Sequence, residues 1–312
     1  MLQHGIINFL KPAGMTSHDG VYMLRRLIGE KRIGHTGTLD PMAVGVLPLC
    51  VGNATRVIDY LDYDEKEYRC ELLLGVQTDT WDIWGSLLSD KRGSFEPIEE
   101  EKIRTGLASF KGDIFQLPPG YSAIRINGKR LYEYARNGQT VEVEKRPVSI
   151  KDIELISYDP DKGRVLFDVR CSKGTYVRSI CQELGDILEC GAAMSFLARK
   201  ASGVFRIEHS VSAEELKEGW QEHLLPLDFP LAHLGAIEIP ERRVFWFSNG
   251  GQLRKDEISI VRTPAAQDTR GHIRVREGLE CAYCAYSEGR FLGVMIYNEQ
   301  EKLFTADKVL CK

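Results

Sequence analysis

Apolar positions along the chain change their spacing several times, and each change marks an element. The run at residues 6–10, Ile-Ile-Asn-Phe-Leu, reads as a strand. Ser17 and Asp19 then offer caps to a segment whose Val21, Leu24, Leu27 and Ile28 recur at helical spacing. Residues 68–74 read as a strand closed by Gly75, and residues 98–110 read as a helix, with Ile103, Leu107 and Phe110 on one face and Gly112 as a stop. Residues 148–156 and 165–171 read as two strands of a hairpin turned by Asp159-Pro160-Asp161-Lys162-Gly163. Strands and helices alternate without a repeated βαβ unit. This predicts an α+β fold built on a mixed, largely antiparallel sheet. Residues 225–235, with Pro226 and Pro230, read as a linker. Short apolar runs come next near 258–261, 273–275, 281–286 and 291–297, separated by glycines and charged turns, the signature of a small β-barrel. The expected organisation is one domain over residues 1–230 and a second over 236–312.

Composition bounds the class. A chain of 312 residues exceeds one ordinary core, which agrees with two domains. With 43% hydrophobic and 28% charged residues the chain has a soluble, globular balance. No apolar run approaches membrane-spanning length and the first residues lack a signal-peptide layout, so a cytoplasmic location is expected and a membrane partner is not. The eight cysteines are scattered and read as reduced thiols. Cys281-x-x-Cys284 has no second ligand pair, so it reads as part of a strand and not as a zinc site; no metal is expected.

A net charge of −4 argues against a nucleic-acid partner, but the distribution argues for one. Basic residues cluster at Arg125, Lys129, Arg130, Arg136, Lys145 and Arg146, and again at Arg242, Arg243, Arg254, Lys255, Arg262, Arg270, Arg274 and Arg276, where Asp268 is among the few acids. Acid gathers elsewhere, at Asp59, Asp62, Asp64, Glu65 and Glu67. The surface is expected to be bipolar, with one face suited to RNA.

The chemistry centres on Gly34-His35-Thr36-Gly37-Thr38-Leu39-Asp40-Pro41-Met42-Ala43-Val44-Gly45-Val46-Leu47-Pro48-Leu49. Glycines, hydroxyls and a histidine make a loop in front of one carboxylate. Asp40-Pro41 reads as a helix N-cap followed by the first helical residue. The glycines do not form a phosphate-binding loop, because Leu39-Asp40 stands where Lys-Ser/Thr would close that motif.

This stretch resembles the catalytic motif of the bacterial tRNA pseudouridine synthase B family. The likeness continues at Lys11-Pro12-x-Gly14-Met15-Thr16-Ser17, Lys66-x-Tyr68, Leu74-Gly75-x-x-Thr78-Asp79-Thr80, Gln116-x-Pro118-Pro119-x-Tyr121-Ser122-Ala123, Gly174-Thr175-Tyr176-Val177-Arg178-Ser179 and Leu197-x-Arg199, covering roughly residues 6 to 207. The tail resembles the RNA-binding PUA domain, with Gly289-Arg290-Phe291-Leu292-Gly293-Val294 as the matching hairpin. Residues 117–146 resemble the insertion with which the stand-alone enzymes grip the tRNA T-arm.

The resemblance implies isomerisation of uridine 55 in the T-loop of tRNA to pseudouridine, on a base flipped into a pocket. It implies no metal or organic cofactor, no obligatory protein partner, and a monomer. Asp40 matches the catalytic aspartate; it either attacks the sugar or base covalently, or assists glycosidic cleavage by stabilising positive charge and removing a sugar proton. Arg178 would hold it ionised and aimed. Tyr68 fits a stacking platform whose phenol can also help remove the C5 proton. Tyr176 would bond the base or Asp40, Leu197 would pack on the base, and His35 would support the extruded conformation. Lys11 contacts phosphate or buttresses the loop; Lys129 and Arg130 belong to the gripping segment. The alternatives are a subunit directed by a separate guide RNA, and a non-catalytic tRNA-binding or folding protein. The joint presence of Asp40, Tyr68 and Arg178 speaks against the second. Trp81 and Trp84 are large aromatics where the pattern leads one to expect smaller residues.

Overall fold

The computed structural model describes residues 4–61, 65–94, 96–139, 141–264 and 281–311. The apolar run at 273–275 and Asp62, Asp64, Asp268, Arg270, Arg274 and Arg276 lie outside the described residues.

The larger sheet runs in the order Gly5–Lys11, Val44–Val51, Ala192–Ser202, Glu65–Leu74, Arg164–Ser172, Arg146–Asp159, Gly112–Gln116, with Ile33–His35 and Phe205–Arg206 attached to it. Every pairing is antiparallel except that between Val44–Val51 and Ala192–Ser202. The mixed, largely antiparallel sheet is therefore present. The parallel pair brings Arg199 beside Gly45 while the antiparallel neighbour sets Tyr68 beside Arg199. At Gly45 the backbone φ is +109°, and a Cβ would lie 2.3 Å from the Arg199 carbonyl oxygen; the strands can close only over a glycine.

Helices Glu100–Ala108 and Val177–Ile187 pack on one face of this sheet, burying Ile103, Leu107, Ile180 and Leu184 against Leu72, Phe167 and Met194. Helix Ser17–Ile28 covers Ile7, Phe9, Leu47 and Leu49 with Val21 and Leu24. Its cap is Thr16, one residue before Ser17, and Asp19, the other expected candidate, completes a capping box from the third helical position by accepting from the Thr16 N–H.

One expectation fails. Asp40-Pro41 opens a β-turn, not a helix: the Ala43 N–H donates to the Asp40 carbonyl at 3.0 Å, and the strand Val44–Val51 begins at once. Asp and Pro suit the first two positions of a β-turn as well as a helix start, and Gly45 and Pro48 forbid the helix that would have to continue. The stretch 225–235 runs between the two sheets and is packed along its length, with Pro230, Leu231 and Leu234 buried.

Beyond it lies a second sheet, in the order Gln252–Arg254, Leu303–Val309, Arg290–Asn298, Ala282–Ser287, Gly235–Glu238, Ser259–Arg262. Its edge strands are joined by a single 3₁₀ turn at Lys255–Glu257, so the sheet curls back on itself. Cys284 falls inside the strand Ala282–Ser287, as the pattern around Cys281-x-x-Cys284 suggests. Ala282, Cys284, Val294 and Leu310 share one apolar cluster with Ile6, Val46 and Cys50 of the first sheet and with Val57 and Tyr60 in the 3₁₀ turns that follow it.

Candidate active site

The loop between His35 and Val44 is held from three sides. Ser17 clamps Leu39, its hydroxyl accepting from the Leu39 N–H at 2.7 Å and donating to the Leu39 carbonyl at 3.0 Å. Lys11, fully buried, donates its ammonium to the carbonyls of Pro12 (2.8 Å), Met15 (2.6 Å) and Pro41 (3.4 Å). Burial lowers the Lys11 pKa from 10.5 to about 8, against the opposing attraction of Asp40. Arg199, also fully buried, donates to the carbonyls of Val46 (2.7 Å), Gly37 (3.1 Å) and Thr38 (3.4 Å). The loop's backbone is thus fixed by side chains from the first strand, the first helix and a central strand.

Arg178, on the first turn of helix Val177–Ile187, supplies the partner for Asp40. Its Nε stands 2.9 Å from Asp40 Oδ2; the approach lies off the N–H direction, so the contact is an ion pair and not a hydrogen bond. The other two nitrogens are spent on backbone: Nη1 donates to the Thr80 carbonyl and Nη2 to the Tyr121 carbonyl, each at 3.0 Å. Asp82 lies 3.7 Å from Nη1. The arginine side chain is only 4% exposed, whereas Asp40 keeps 32% of its side chain open. One carboxylate is therefore aimed by a rigid cation and still reachable. Gln116 fixes the residue before the helix, donating to the Tyr176 carbonyl at 2.9 Å and accepting from its N–H at 2.7 Å.

These groups meet in a cleft of about 1060 Å³. Asp40, Arg178, Tyr68, Tyr176, His35, Leu197 and Arg130 all line it. Lys11 does not; it sits behind the loop, with its ammonium on the carbonyls of Pro12, Met15 and Pro41. Lys129 also stays outside, its ammonium 6.0 Å from the centre of the Tyr134 ring. Burial pushes the Tyr68 phenol up to about 12, with the Arg199 charge opposing, so the phenol is neutral at physiological pH. Burial likewise raises Tyr176, with the nearby Ser122 opposing. Burial lowers His35, helped by the charges of Arg199, His18 and Lys66; the ring is neutral and its Nδ1 is buried without a partner.

Sequence reasoning missed several residues of this cleft. Asp82 is buried, and burial raises its pKa while Arg178 pulls it down. Thr80, Trp84, Tyr121, Ser122, Tyr132 and Arg136 also line the walls. Thr78-Asp79-Thr80-x-Asp82 carried a signal for the first two, since hydroxyls alternating with carboxylates are turn formers that can also hold an arginine. Among the described residues no group of His, Cys, Asp or Glu is arranged to hold a metal ion.

A carboxylate paired with a buried arginine in a nucleotide-sized cleft can act on many substrates, and comparison with known proteins decides among them. The family model described as TruB family pseudouridylate synthase (N terminal domain) matches residues 25–177, and that described as tRNA pseudouridylate synthase B C-terminal domain matches 178–232. A relative from Alkaliphilus oremlandii named tRNA pseudouridine synthase B is 41% identical over 301 residues, 96% of this chain and 94% of the relative. The chain belongs to the TruB family. A second relative of that name, from Heliobacterium modesticaldum, is 46% identical over 248 residues, 79% of this chain and 80% of its own length.

The solved structure of a Cbf5-Nop10-Gar1 complex shares the fold, with a TM-score of 0.71 and 26% identity over 99% of this chain and 85% of that one. An H/ACA RNP bound to a substrate RNA containing 2′-deoxyuridine matches with the same TM-score at 23% identity, covering 100% of this chain and 86% of that chain. In this TruB-family chain the two family models meet between Val177 and Arg178, inside one helix, so both contribute walls to the same cleft.

Proposed function

We propose that this pseudouridine synthase acts on tRNA, isomerising uridine 55 of the T-loop, with Asp40 as the reacting carboxylate. The ion pair of half-open Asp40 with buried Arg178, at the floor of a cleft large enough for a nucleotide, carries the reading. The relatives named tRNA pseudouridine synthase B support tRNA as the substrate. In the reaction the N1–C1′ bond breaks, the uracil turns, a C5–C1′ bond forms, and the C5 proton is lost while N1 gains one. The change is redox-neutral and needs no cofactor.

The target must leave its loop, at a cost of a few kcal/mol, and the cleft replaces the stacking that the base gives up. The Tyr68 ring and Leu197 offer it apolar walls; Tyr176 bonds the base; neutral His35 supports the emptied loop. Arg178 pairs with the Asp40 carboxylate and aims it without occupying its open side. The high pKa of Tyr68 makes it a phenol in the resting enzyme, able to stack and to donate. Lys129 and Arg130, on the exposed hairpin of the segment 117–146, meet T-arm phosphates. The chain works as a cytoplasmic monomer without a protein partner, residues 1–230 forming the catalytic domain and 236–312 a PUA-like RNA-binding domain.

Purified protein given an unmodified tRNA transcript, with nothing else added, should place pseudouridine at position 55 on chemical mapping. A requirement for added RNA or protein would favour the guided-subunit reading instead. Asp40→Asn keeps the size and the turn but loses the charge, so kcat should fall by more than ~10³-fold while tRNA affinity and melting midpoint hold. Substantial turnover by that variant would remove Asp40 from the chemistry.

A further inference from the structure

Trp84 is 57% exposed, yet it lines the same cleft as Asp40. Other exposed apolar side chains of this stretch, Ile83, Leu87 and Leu88, stay outside that cleft. The turn that carries Trp84 is closed by a dense set of bonds. Asp82 accepts from the Trp84 N–H at 3.0 Å and from the Thr80 hydroxyl at 2.9 Å, and its carbonyl accepts from the Thr78 hydroxyl at 2.7 Å. Asp79 accepts from the Ser86 N–H at 2.7 Å, and the Ile83 N–H donates to the Met194 carbonyl at 2.9 Å. The turn is also tight: a Cβ on Gly85 would lie 2.2 Å from the Thr80 hydroxyl. Arg178 holds the Thr80 carbonyl while it pairs with Asp40, so the indole is mounted on the structure that positions the carboxylate.

The rest of the rim is aromatic and cationic. Tyr132 lines the cleft with the guanidiniums of Arg130 and Arg136 at 5.9 and 5.2 Å from its ring, and Arg125 lies beside them. Rigid aromatic faces interleaved with arginines suit single-stranded nucleotides, because every base has a face to stack and every link carries a phosphate.

We propose that Trp84 is the platform of a second base subsite, on which an unpaired nucleobase adjoining the target nucleotide stacks when the target enters the cleft. This rests on the reading of the cleft as a pseudouridine synthase site. A flat indole held at the mouth, more than half open to solvent, engages the neighbour of an extruded nucleotide at small ordering cost, since the turn is already fixed. Stacking ignores base identity, so the subsite recognises the splayed shape of the loop and not its sequence.

The test measures binding on Asp40→Asn protein, which leaves substrate unconverted. Three stem-loop RNAs are compared: the intact loop, and loops with an abasic residue immediately 5′ or 3′ of the target. Trp84→Ala should weaken binding of the intact RNA by roughly 5- to 100-fold, and Trp84→Phe should recover most of that. On one of the two abasic RNAs the alanine variant should lose no more than about twofold relative to its parent, because the partner face is already gone. An equal loss on all three RNAs, or no loss on the intact one, overturns the subsite. Pseudouridine formation by the unaltered protein is scored separately; if it fails while the base-dependent coupling persists, the functional reading falls and the stacking site stands.

Discussion

Lys11 shares its ammonium among three backbone carbonyls behind the Asp40 loop, and burial there has a pH signature. The folded chain releases this proton near pH 8 while the unfolded chain holds it to about 10.5. Between those values the unfolded state binds more protons, so this residue makes stability rise with pH; below about 8 the folded state carries the buried charge and the gain is absent. Lys11→Met should remove that rising limb from denaturant unfolding measured at intervals across the window. At neutral pH it should also cost about 1–3 kcal/mol, because carbonyls of the loop lose their donor. A variant with the parent's slope would show that Lys11 does not titrate as its burial demands. Trp81 sits at φ +64° in the turn tied to the central strand, its carbonyl accepting from the Met194 N–H at 3.0 Å, and nothing in that arrangement explains an indole there.

Among the elements, the segment after Leu117 is firm at its foot and light at its tip. Its foot is bonded to the core helix, with the Ser179 hydroxyl donating to the Leu117 carbonyl at 2.7 Å and Arg178 to that of Tyr121. Its tip is a two-residue hairpin, Arg125–Ile126 against Lys129–Arg130, turned at Asn127 (φ +49°) and Gly128 (φ +81°), and continued by helix Leu131–Arg136. Leu131 is the buried apolar side chain of that helix. So little burial makes local opening cheap, and a tRNA arm that engages the arginines should make it costly. Hydrogen exchange should find residues 125–136 rapid in the free protein and slowed by tRNA, with 117–122 slow in both. Equal protection of the tip in both states would mean a rigid loop and no clamp.

For the whole molecule, the second sheet is not an appendage. The cluster joining Cys284, Val294 and Leu310 to Ile6, Val46 and Cys50 is reinforced by Arg56 donating to the Val309 carbonyl at 2.6 Å, Tyr60 to the Asp307 carboxylate, and Tyr286 to Asp228 at 2.8 Å. Truncation before Ile237 would open that core to water. The melting midpoint should fall by on the order of 10 °C or more, whatever the effect on RNA affinity. A shortened chain that melts with the parent would show the two sheets to be energetically independent. The RNA-binding role proposed for residues 236–312 is better tested with Arg242→Ala and Lys255→Ala, both on exposed surface, which should flatten the salt dependence of binding by about 0.9 for each phosphate no longer neutralised; an unchanged slope would remove that role from these residues.

The local code is enough for the strands at Tyr68 and Val165, the helix at Val21 and Leu24, and the loop character around Asp40, because period, caps and turn residues act over a few positions. The resemblance carried by the motifs is enough for the family and for most of the residues that meet in the cleft. The element after Asp40 is a strand and not the expected helix: Asp-Pro serves a turn and a helix start equally, and the choice falls to the strand partners of Val44–Val51 on either side. Asp82, Gln116 and the buried role of Lys11 are beyond reach for a related reason. Their meaning lies in interactions with Arg178, Tyr176 and Pro41, which stand between 30 and 96 residues away in the chain, and only the packed sheet brings those groups within hydrogen-bonding or ion-pairing distance. The joint core of the two sheets is the same case at larger scale, since burial is decided by what packs on a side chain and not by its neighbours in sequence.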